Sequence, residues 1–385
     1  ILDHAEGNPF FVEEILRSLI DAAADGGAGI AHDEAADPAT GLRTSRWYAT
    51  HDLADLRIPD TLHGVLSARI DRLAPETKRV LQLASVIGRI FTYPLLSAIA
   101  TDSPLSPGGE RLGVRGDTLA PPLLAHLVTL EHAQLIRERA RLPEREYIFK
   151  HHLTQEAAYS SLLKRERRAY HRQVAEALER LYPERIEERV ELLAHHWEQA
   201  GEAEKAIDYL HQAGDKAAHQ SAYQEAIDHL TRALSLLKTL PDRGPNLRLE
   251  HAQRELALQS SLGMAWHAIQ GVGPETLNAY TRARELGQQI GEISQTCRAV
   301  SELSILHWLG GKYQKARELA EEALSLAQQA KDPLLAAMSH VPLGLVLFTL
   351  GEYAIAQNHL DQMIAFYKPD EHHASLVSFR GSDWG

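Results

Sequence analysis

Histidine is the residue type with the most chemistry to offer here, at 21 of 385 residues. An imidazole at the mouth of a helix can donate to a phosphate, and its charge changes near neutral pH. His151 has that setting, after the strand-like run Tyr147-Ile148-Phe149 and before a helical pattern. His152 is adjacent, and the sequence leaves open which of the two points inward. Gly7-Asn8-Pro9 is the second candidate, a turn that opens an apolar helix. Proline suits a first helical turn, where its missing N–H costs nothing. Each candidate has a plainer reading: a capping histidine, and an ordinary helix start.

Other constellations are weaker. The pairs His151-His152, His195-His196 and His372-His373 suggest a metal, but helix neighbours point about 100° apart and rarely share an ion. No H-E-x-x-H occurs, and the lone Cys297, inside a predicted helix, offers no thiolate set. No metal site is expected. Lys164-Arg165-Glu166-Arg167-Arg168, with Arg172, is a basic cluster. It reads as a DNA-contacting helix, or as a solvated helix boundary or a contact to the acidic remainder of the protein, and the net charge of -12 disfavours the first. Glu13-Glu14 suits a helix dipole better than acid–base work. No G-x-S-x-G and no phosphate-cradling G-x-x-x-x-G-K-[ST] loop is present. The chain therefore offers no catalytic residues.

The elements that must position these groups are mostly helical. A composition of 44% hydrophobic and 24% charged residues is that of a globular chain in water. The acidic balance argues against a general nucleic-acid binder. The most apolar stretch, 341–350, is about half the roughly 20 residues of a membrane helix, and no signal peptide opens the chain. One cysteine permits no intrachain disulfide, which fits a reducing cytoplasm. The first residue is Ile1, and both ends read as cuts in a longer protein.

Along the chain, Phe11, Val12, Ile15, Leu16 and Leu19 make a helical apolar stripe. Residues 22–40 are rich in Ala, Gly and Asp and read as a loose loop, with Trp47-Tyr48 in a short strand. From residue 58 a compact domain follows. Leu62, Val65, Leu66, Ile70 and Leu73 make one helix face, and Val80, Leu81, Leu83 and Ala84 the next. A short helix covers 94–100, a surface loop 101–116 and a helix 119–130. Two short strands then flank a turn at Leu142-Pro143-Glu144, the pattern of a winged helix, and two helices close the domain. The remainder repeats. Gly214, Tyr223, Ala226 and Ala233 have the offsets of a tetratricopeptide (TPR) hairpin. Ser304, Gly311, Tyr313, Ala316 and Ala323 repeat them, as do Gly344, Gly351, Tyr353 and Ala356, with Met363 in the last place. A weaker copy holds Gly263, Trp266 and Ala283, with an insertion near Gly271-Val272-Gly273-Pro274. Small residues let paired helices approach, and the tyrosines are expected to fill space between hairpins. The fold class is mainly α: a winged-helix-like domain followed by a TPR-type α-solenoid.

GNPFFVEEI, IPDTLHGVLSARIDRLAPETKRVLQLASVIGRIF and FKHHLTQEAAYSSLLKRERRAYHRQVAEALE resemble the lid, winged helix and following helices of bacterial STAND-class predicted ATPases. The tail LGLVLFTLGEYAIAQNHLDQMIAFYKPDEHHASLVSFRGSD is similar to the TPR part of members linked to class III adenylate/guanylate cyclases. The resemblance covers most of the chain except 22–46. It implies the end of a nucleotide-binding module at 1–21, a linker at 22–57, a winged-helix-like domain with following helices at 58–185, and TPR-type repeats at 186–385. It also implies ATP or ADP in the parent protein, with Gly7, Asn8 and Pro9 packed on the nucleotide and His151 near its β-phosphate. The isolated piece, without the phosphate loop, is expected to hold no cofactor. The implied role is regulatory: nucleotide state and a protein or peptide on the concave TPR face are coupled to an output domain. The chain's other partners would be its own upstream NTPase and output domains, with no membrane. Control of a class III cyclase and ATP-dependent transcriptional regulation remain open alternatives.

Overall fold

A computed structural model describes residues 12–13, 16, 30–36, 43–49, 61–102, 120–241 and 244–366; at 30–36, 43–49, 102, 120–122 and 366 it describes the backbone alone. The chain divides into two compact units, Ile1–Pro183 and Glu184–Gly385.

In the first unit, strands β1 (Ile30–Ala36) and β2 (Arg43–Ala49) form an antiparallel hairpin in which Ile30 stands opposite Ala49 and Ala36 opposite Arg43. This corrects the expected loop at 30–36; 22–29 and 37–40 lie outside the described residues. Backbone pairing to a neighbouring segment makes the strand, and the Ala- and Asp-rich side chains of 30–36 carry no alternation that would announce it. Val12, Glu13 and Leu16 are helical. Leu16 is 45% exposed and not part of a buried stripe. The remaining stripe residues, and most of the 101–116 loop, lie outside the described residues.

Helix α1 (Leu62–Asp71) begins at Thr61, whose hydroxyl accepts from the Gly64 amide at 3.1 Å. This N-cap satisfies one of the four amides a helix start leaves open. Helix α2 (Pro75–Ile87) has proline in its first turn and buries Val80, Leu81, Leu83 and Ala84. Strand β3 (Ile90–Thr92), helices α3 (Tyr93–Asp102) and α4 (Ala120–His132), and strands β4 (Ile136–Ala140) and β5 (Glu146–Phe149) follow. The sheet order is β3-β5-β4, all antiparallel. β3 was not legible in the sequence, and it completes the sheet. Phe91 lies opposite Tyr147 with the rings stacked at 5.8 Å, and meets Phe149 edge-on at 5.7 Å. All three side chains are buried, so the sheet's inner face is an aromatic core. The Arg69 guanidinium donates to the Ala133 carbonyl at 2.7 Å, satisfying an acceptor just past the end of α4. Helices α5 (His152–Ser160) and α6 (Lys164–Leu181) complete the unit.

The second unit is a stack of antiparallel helices: α7 (Val190–Ala200), α8 (Ala203–His219), α9 (Tyr223–Leu237), α10 (Pro245–Gln270), α11 (Pro274–Ile290), α12 (Ile293–Leu309), α13 (Tyr313–Ala330), α14 (Pro333–Thr349) and α15 (Tyr353–Phe366). Each helix packs on the next, the arrangement of a TPR-type stack. The small residues do what their spacing requires. A Cβ on Gly214 would stand 2.7 Å from Leu230, one on Gly263 2.9 Å from the Tyr280 ring, and one on Gly344 2.9 Å from Leu360. Ser304 takes the same place, and its hydroxyl donates to the Ala316 carbonyl at 2.7 Å across the hairpin. The facing alanines Ala226, Ala316 and Ala356 are buried, as is Thr276, which takes that place in α10–α11.

A further hairpin, α7–α8, follows the same rule with Ala194, Ala206 and Ala213 at the corresponding offsets, all buried. The sequence runs AIDYLHQA at 206–213 and AIDHLTRA at 226–233, a repeat at helix spacing. Seven residues after each small residue the chain turns through positive φ: Gly201 at 82°, Ser221 at 60°, Gly311 at 73°, Gly351 at 84°. In α10–α11 the turn comes one residue later, at Gly271 with φ 62°, which locates the insertion. Tyr223 is partly buried against the core as expected, and the other two tyrosines are not. Tyr313 is 39% and Tyr353 63% exposed, so they do not fill the space between hairpins. Leucines and alanines fill it, among them Leu303, Leu319, Ala323 and Leu335.

Replacing a helical glycine by alanine ordinarily stabilises by about 1 kcal/mol. At Gly263 the added methyl meets a buried aromatic ring, and overpacking of that kind costs roughly 1–3 kcal/mol. Gly263→Ala should therefore lower the unfolding free energy measured in denaturant. A gain in stability would show that the close approach of α10 and α11 is wrong.

Candidate functional site

The first site lies where the sheet passes into α5. β5 ends at Phe149, whose amide donates to the Arg89 carbonyl at 3.0 Å; the Lys150 amide donates to the Leu135 carbonyl, also at 3.0 Å. These two bonds fix the chain on either side before it turns. His151 follows as the residue preceding the helix, extended at φ -131° and ψ 145°, with its carbonyl accepting from the Thr154 amide at 3.1 Å. His151 is half-buried and its Nε2 is shielded from solvent, whereas His152 is exposed. The first turn of α5 carries no acidic residue, so the positive field of the helix start is not offset from within it.

The Lys150 ammonium donates to Glu13 Oε1 at 3.0 Å. Glu13 stands four residues after Pro9. This ion pair therefore ties the helical segment that follows Gly7-Asn8-Pro9 to the residue preceding His151. Gly7, Asn8 and Pro9 themselves lie outside the described residues. No local sequence signal announces the pair, because its partners are 137 positions apart.

In the basic cluster Lys164, Arg165, Arg168 and Arg172 are exposed, and Arg167 is packed on the protein. Arg167 donates to the Ser160 carbonyl at 2.8 Å and lies 4.6 Å over the Tyr159 ring. Glu166 accepts from the Leu163 amide at 2.9 Å, capping the start of α6. On α4 the residues turned outward are Ala125, Val128, Thr129 and His132, and the helix carries no Arg or Lys. A helix that reads DNA needs cations at those places.

The second site is the row formed by the first helices of successive hairpins, α8, α10, α12 and α14. They adjoin in two pairs: His211 Nε2 meets Ser261 Oγ at 3.2 Å between α8 and α10, and Trp308 Nε1 donates to Thr349 Oγ1 at 2.8 Å between α12 and α14. The α8 end of the row is polar, with Asp208 exposed and His211 within 3.5 Å of Asp215. The α12 and α14 end is apolar and aromatic, with Trp308 half-buried, Leu309 exposed, and Phe348 59% exposed against Tyr353 at 5.3 Å. Burial lowers the pKa of His307, and Lys312 and Lys315 lower it further. Such a surface can bind by ring contacts at one end and by charge at the other.

Cys297 is buried with Sγ 3.2 Å from the Ala323 carbonyl, and burial raises its pKa, which disfavours the reactive thiolate. Among the described residues no group of three or more His, Cys, Asp or Glu could hold a metal ion. His195 and His196 meet edge-on at 5.4 Å, and His372-His373 lie outside the described residues. No helix among the described residues is long and apolar enough to cross a membrane.

No family model matches the chain. An uncharacterized protein of Rhizobium meliloti (strain 1021) is 27% identical over 328 residues, which are 83% of this chain and 29% of that protein. The chain thus spans under a third of the length of this curated relative. Among solved structures, it is similar to a Signal Transduction ATPase with Numerous Domains (STAND) protein with a tetratricopeptide repeat sensor from Pyrococcus horikoshii. That match has 12% identity and a TM-score of 0.36, over 83% of this chain and 54% of the other. A Rap protein complexed with Competence and Sporulation Factor is 14% identical with a TM-score of 0.38, over 69% of this chain and 70% of the other. The apo form of RapI is 12% identical with a TM-score of 0.43, over 60% and 66%. The fold class stands on the chain's own helix order.

The Glu13–Lys150 pair is partly exposed, so its coupling should be small, about 0–1 kcal/mol, and sensitive to salt. A double-mutant cycle with Glu13→Gln and Lys150→Met should read that value in dilute buffer and near zero at high salt. A coupling of several kcal/mol, unmoved by salt, would mean that the pair is buried in solution.

Proposed function

We propose that this chain is the regulatory and partner-binding portion of a signal-transduction ATPase of the STAND class. Nucleotide state is sensed at the β5–α5 junction, and a protein or peptide is held along the row of first helices. Both bias an output domain outside these residues. The observation that carries the reading is the Glu13–Lys150 ion pair, which places the segment after Gly7-Asn8-Pro9 beside the helix start that His151 precedes. A nucleotide between them would meet the turn on one side and the imidazole with an open helix start on the other. ATP or ADP is thus the ligand of the longer protein. This chain contributes Gly7, Asn8, Pro9 and His151 to its seat, and the phosphate loop belongs to an upstream module.

The order α2–β3–α3–α4–β4–β5, with sheet order β3-β5-β4, supports a winged-helix reading of the first unit. The neutral outer face of α4 favours a module that packs on protein over one that reads DNA, and so favours signalling over direct gene regulation. The stack supports a partner that lies across several hairpins, since each hairpin offers its neighbour one side and leaves the row open. Its polar α8 end and aromatic α12–α14 end suit a segment with one charged and one apolar end.

A contact made in one nucleotide state alone shifts the domain equilibrium by its differential energy. A charged hydrogen bond supplies roughly 1.5–3 kcal/mol. In the longer protein that includes the nucleotide-binding module, His151→Ala should therefore weaken ADP binding by about tenfold or more and raise basal output, and His152→Ala should do neither. Isothermal titration of ADP into each variant is the test, with the isolated chain, which should turn over no ATP, as control. Unchanged ADP affinity in a folded His151→Ala protein would reduce this residue to a helix start.

A further inference from the structure

The α14–α15 hairpin breaks a rule that α12–α13 keeps. Four residues before its small residue, α12 carries Val300; three residues after its facing alanine, α13 carries Leu319. Both are buried and apolar. In the same two places α14 and α15 carry His340 and His359. No other hairpin of the stack puts imidazoles at both. The rings lie 5.1 Å apart with Nδ1 facing Nδ1 at 2.9 Å, and His340 is 6% exposed.

Two ring nitrogens at hydrogen-bond distance need one proton between them: one Nδ1–H donates and the other Nδ1 accepts. That holds while the accepting ring is neutral. A second proton on the accepting nitrogen turns it into a donor. Two N–H groups then face each other, the bond is lost, and a charge enters a shielded space.

We propose that the His340–His359 pair is a pH-sensitive latch on this hairpin, closed while at least one of the two rings is neutral and open once both are protonated. Among the described residues, the charged groups on the helices around the pair are the following. α14 carries no Asp, Glu, Lys or Arg. α15 carries Asp361. On α13, Arg317 pairs with Glu321 and Glu352, Lys315 with Glu318, and Glu322 with Arg284 of α11. α12 carries Arg298, Glu302 and His307. What acts on the pair is burial, which lowers both pKa values, followed for His340 by the charge of His359. The folded pKa values therefore lie below the unfolded value of about 6.5. The latch's stabilisation is complete above that value and is lost as pH falls through it toward the folded values. α15 would lose its grip first, exposing Leu343, Leu347 and Ala356. This inference rests on the stack and is independent of the nucleotide reading.

Hydrogen exchange of the whole chain, corrected for the chemical rate at each pH, tests it. Between pH 7.5 and 5.5, amides of Tyr353–Phe366 should lose protection by up to about tenfold per ring, the most that one pH unit below the unfolded value allows, while those of Tyr313–Ala330 hold. In His340→Val/His359→Leu, which carries the α12–α13 residues, the α15 amides should keep their protection at both values. A polar double variant, His340→Asn/His359→Gln, which removes both titrating rings, should do the same should the apolar one fold poorly. Unchanged α15 protection in the parent chain would overturn the proposal. So would an equal loss in the folded variants, or a simultaneous loss across all helices.

Discussion

The distance between two helix backbones sets most of this molecule. Where Gly214, Gly263, Ser304 or Gly344 faces its partner helix, no room exists for a larger side chain without displacing Leu230, Tyr280, the Ala316 carbonyl or Leu360. That approach buries the facing alanines and pushes longer side chains to the sides of each hairpin. There they meet the next hairpin, as Leu303 and Leu319 do, or line the open row, as Trp308 does. A hairpin so built cannot bury its own apolar flank, so stacking follows. Ion pairs such as Arg284–Glu322 and Arg282–Glu255 join different helices at the rim. Being partly exposed, they adjust the stack more than they hold it.

The first unit solves a different problem, that of carrying a helix start to a defined place. The aromatic face made by Phe91, Tyr147 and Phe149 fixes the sheet on the helices, and β5 delivers Lys150 and His151 to the mouth of α5. Lys150 is spent on Glu13, and the shielded edge of the His151 ring is turned in while His152 faces water. A chain with two adjacent histidines thereby presents them to two different environments.

The parts legible in the sequence were those with local repetition. The offsets from Gly214, Ser304 and Gly344 gave the hairpins, and the alternation around Leu142-Pro143-Glu144 gave two strands and so placed His151. The α7–α8 hairpin escaped because alanine replaces the glycine at its close approach, and alanine is too common in helices to signal one. β3 escaped because three residues are too few for a period of two; its register with Glu146–Ile148 makes it a strand. The Glu13–Lys150 and His340–His359 pairs join distant positions, and no local pattern predicts such contacts. Tyr313 and Tyr353 were misjudged because an aromatic residue at a helix start was assumed to be buried, while leucine and alanine already fill the space.

The central claim is that one ligand is read at the β5–α5 junction and that the stack serves a separate partner. Hydrogen exchange of the longer protein with and without ADP addresses it most directly. The account predicts that ADP slows exchange around Glu13 and in the first turn of α5, and leaves Val190–Ala200 through Tyr353–Phe366 at their free rates until a partner is added. No change around Glu13 and His151 on saturation with ADP would contradict it.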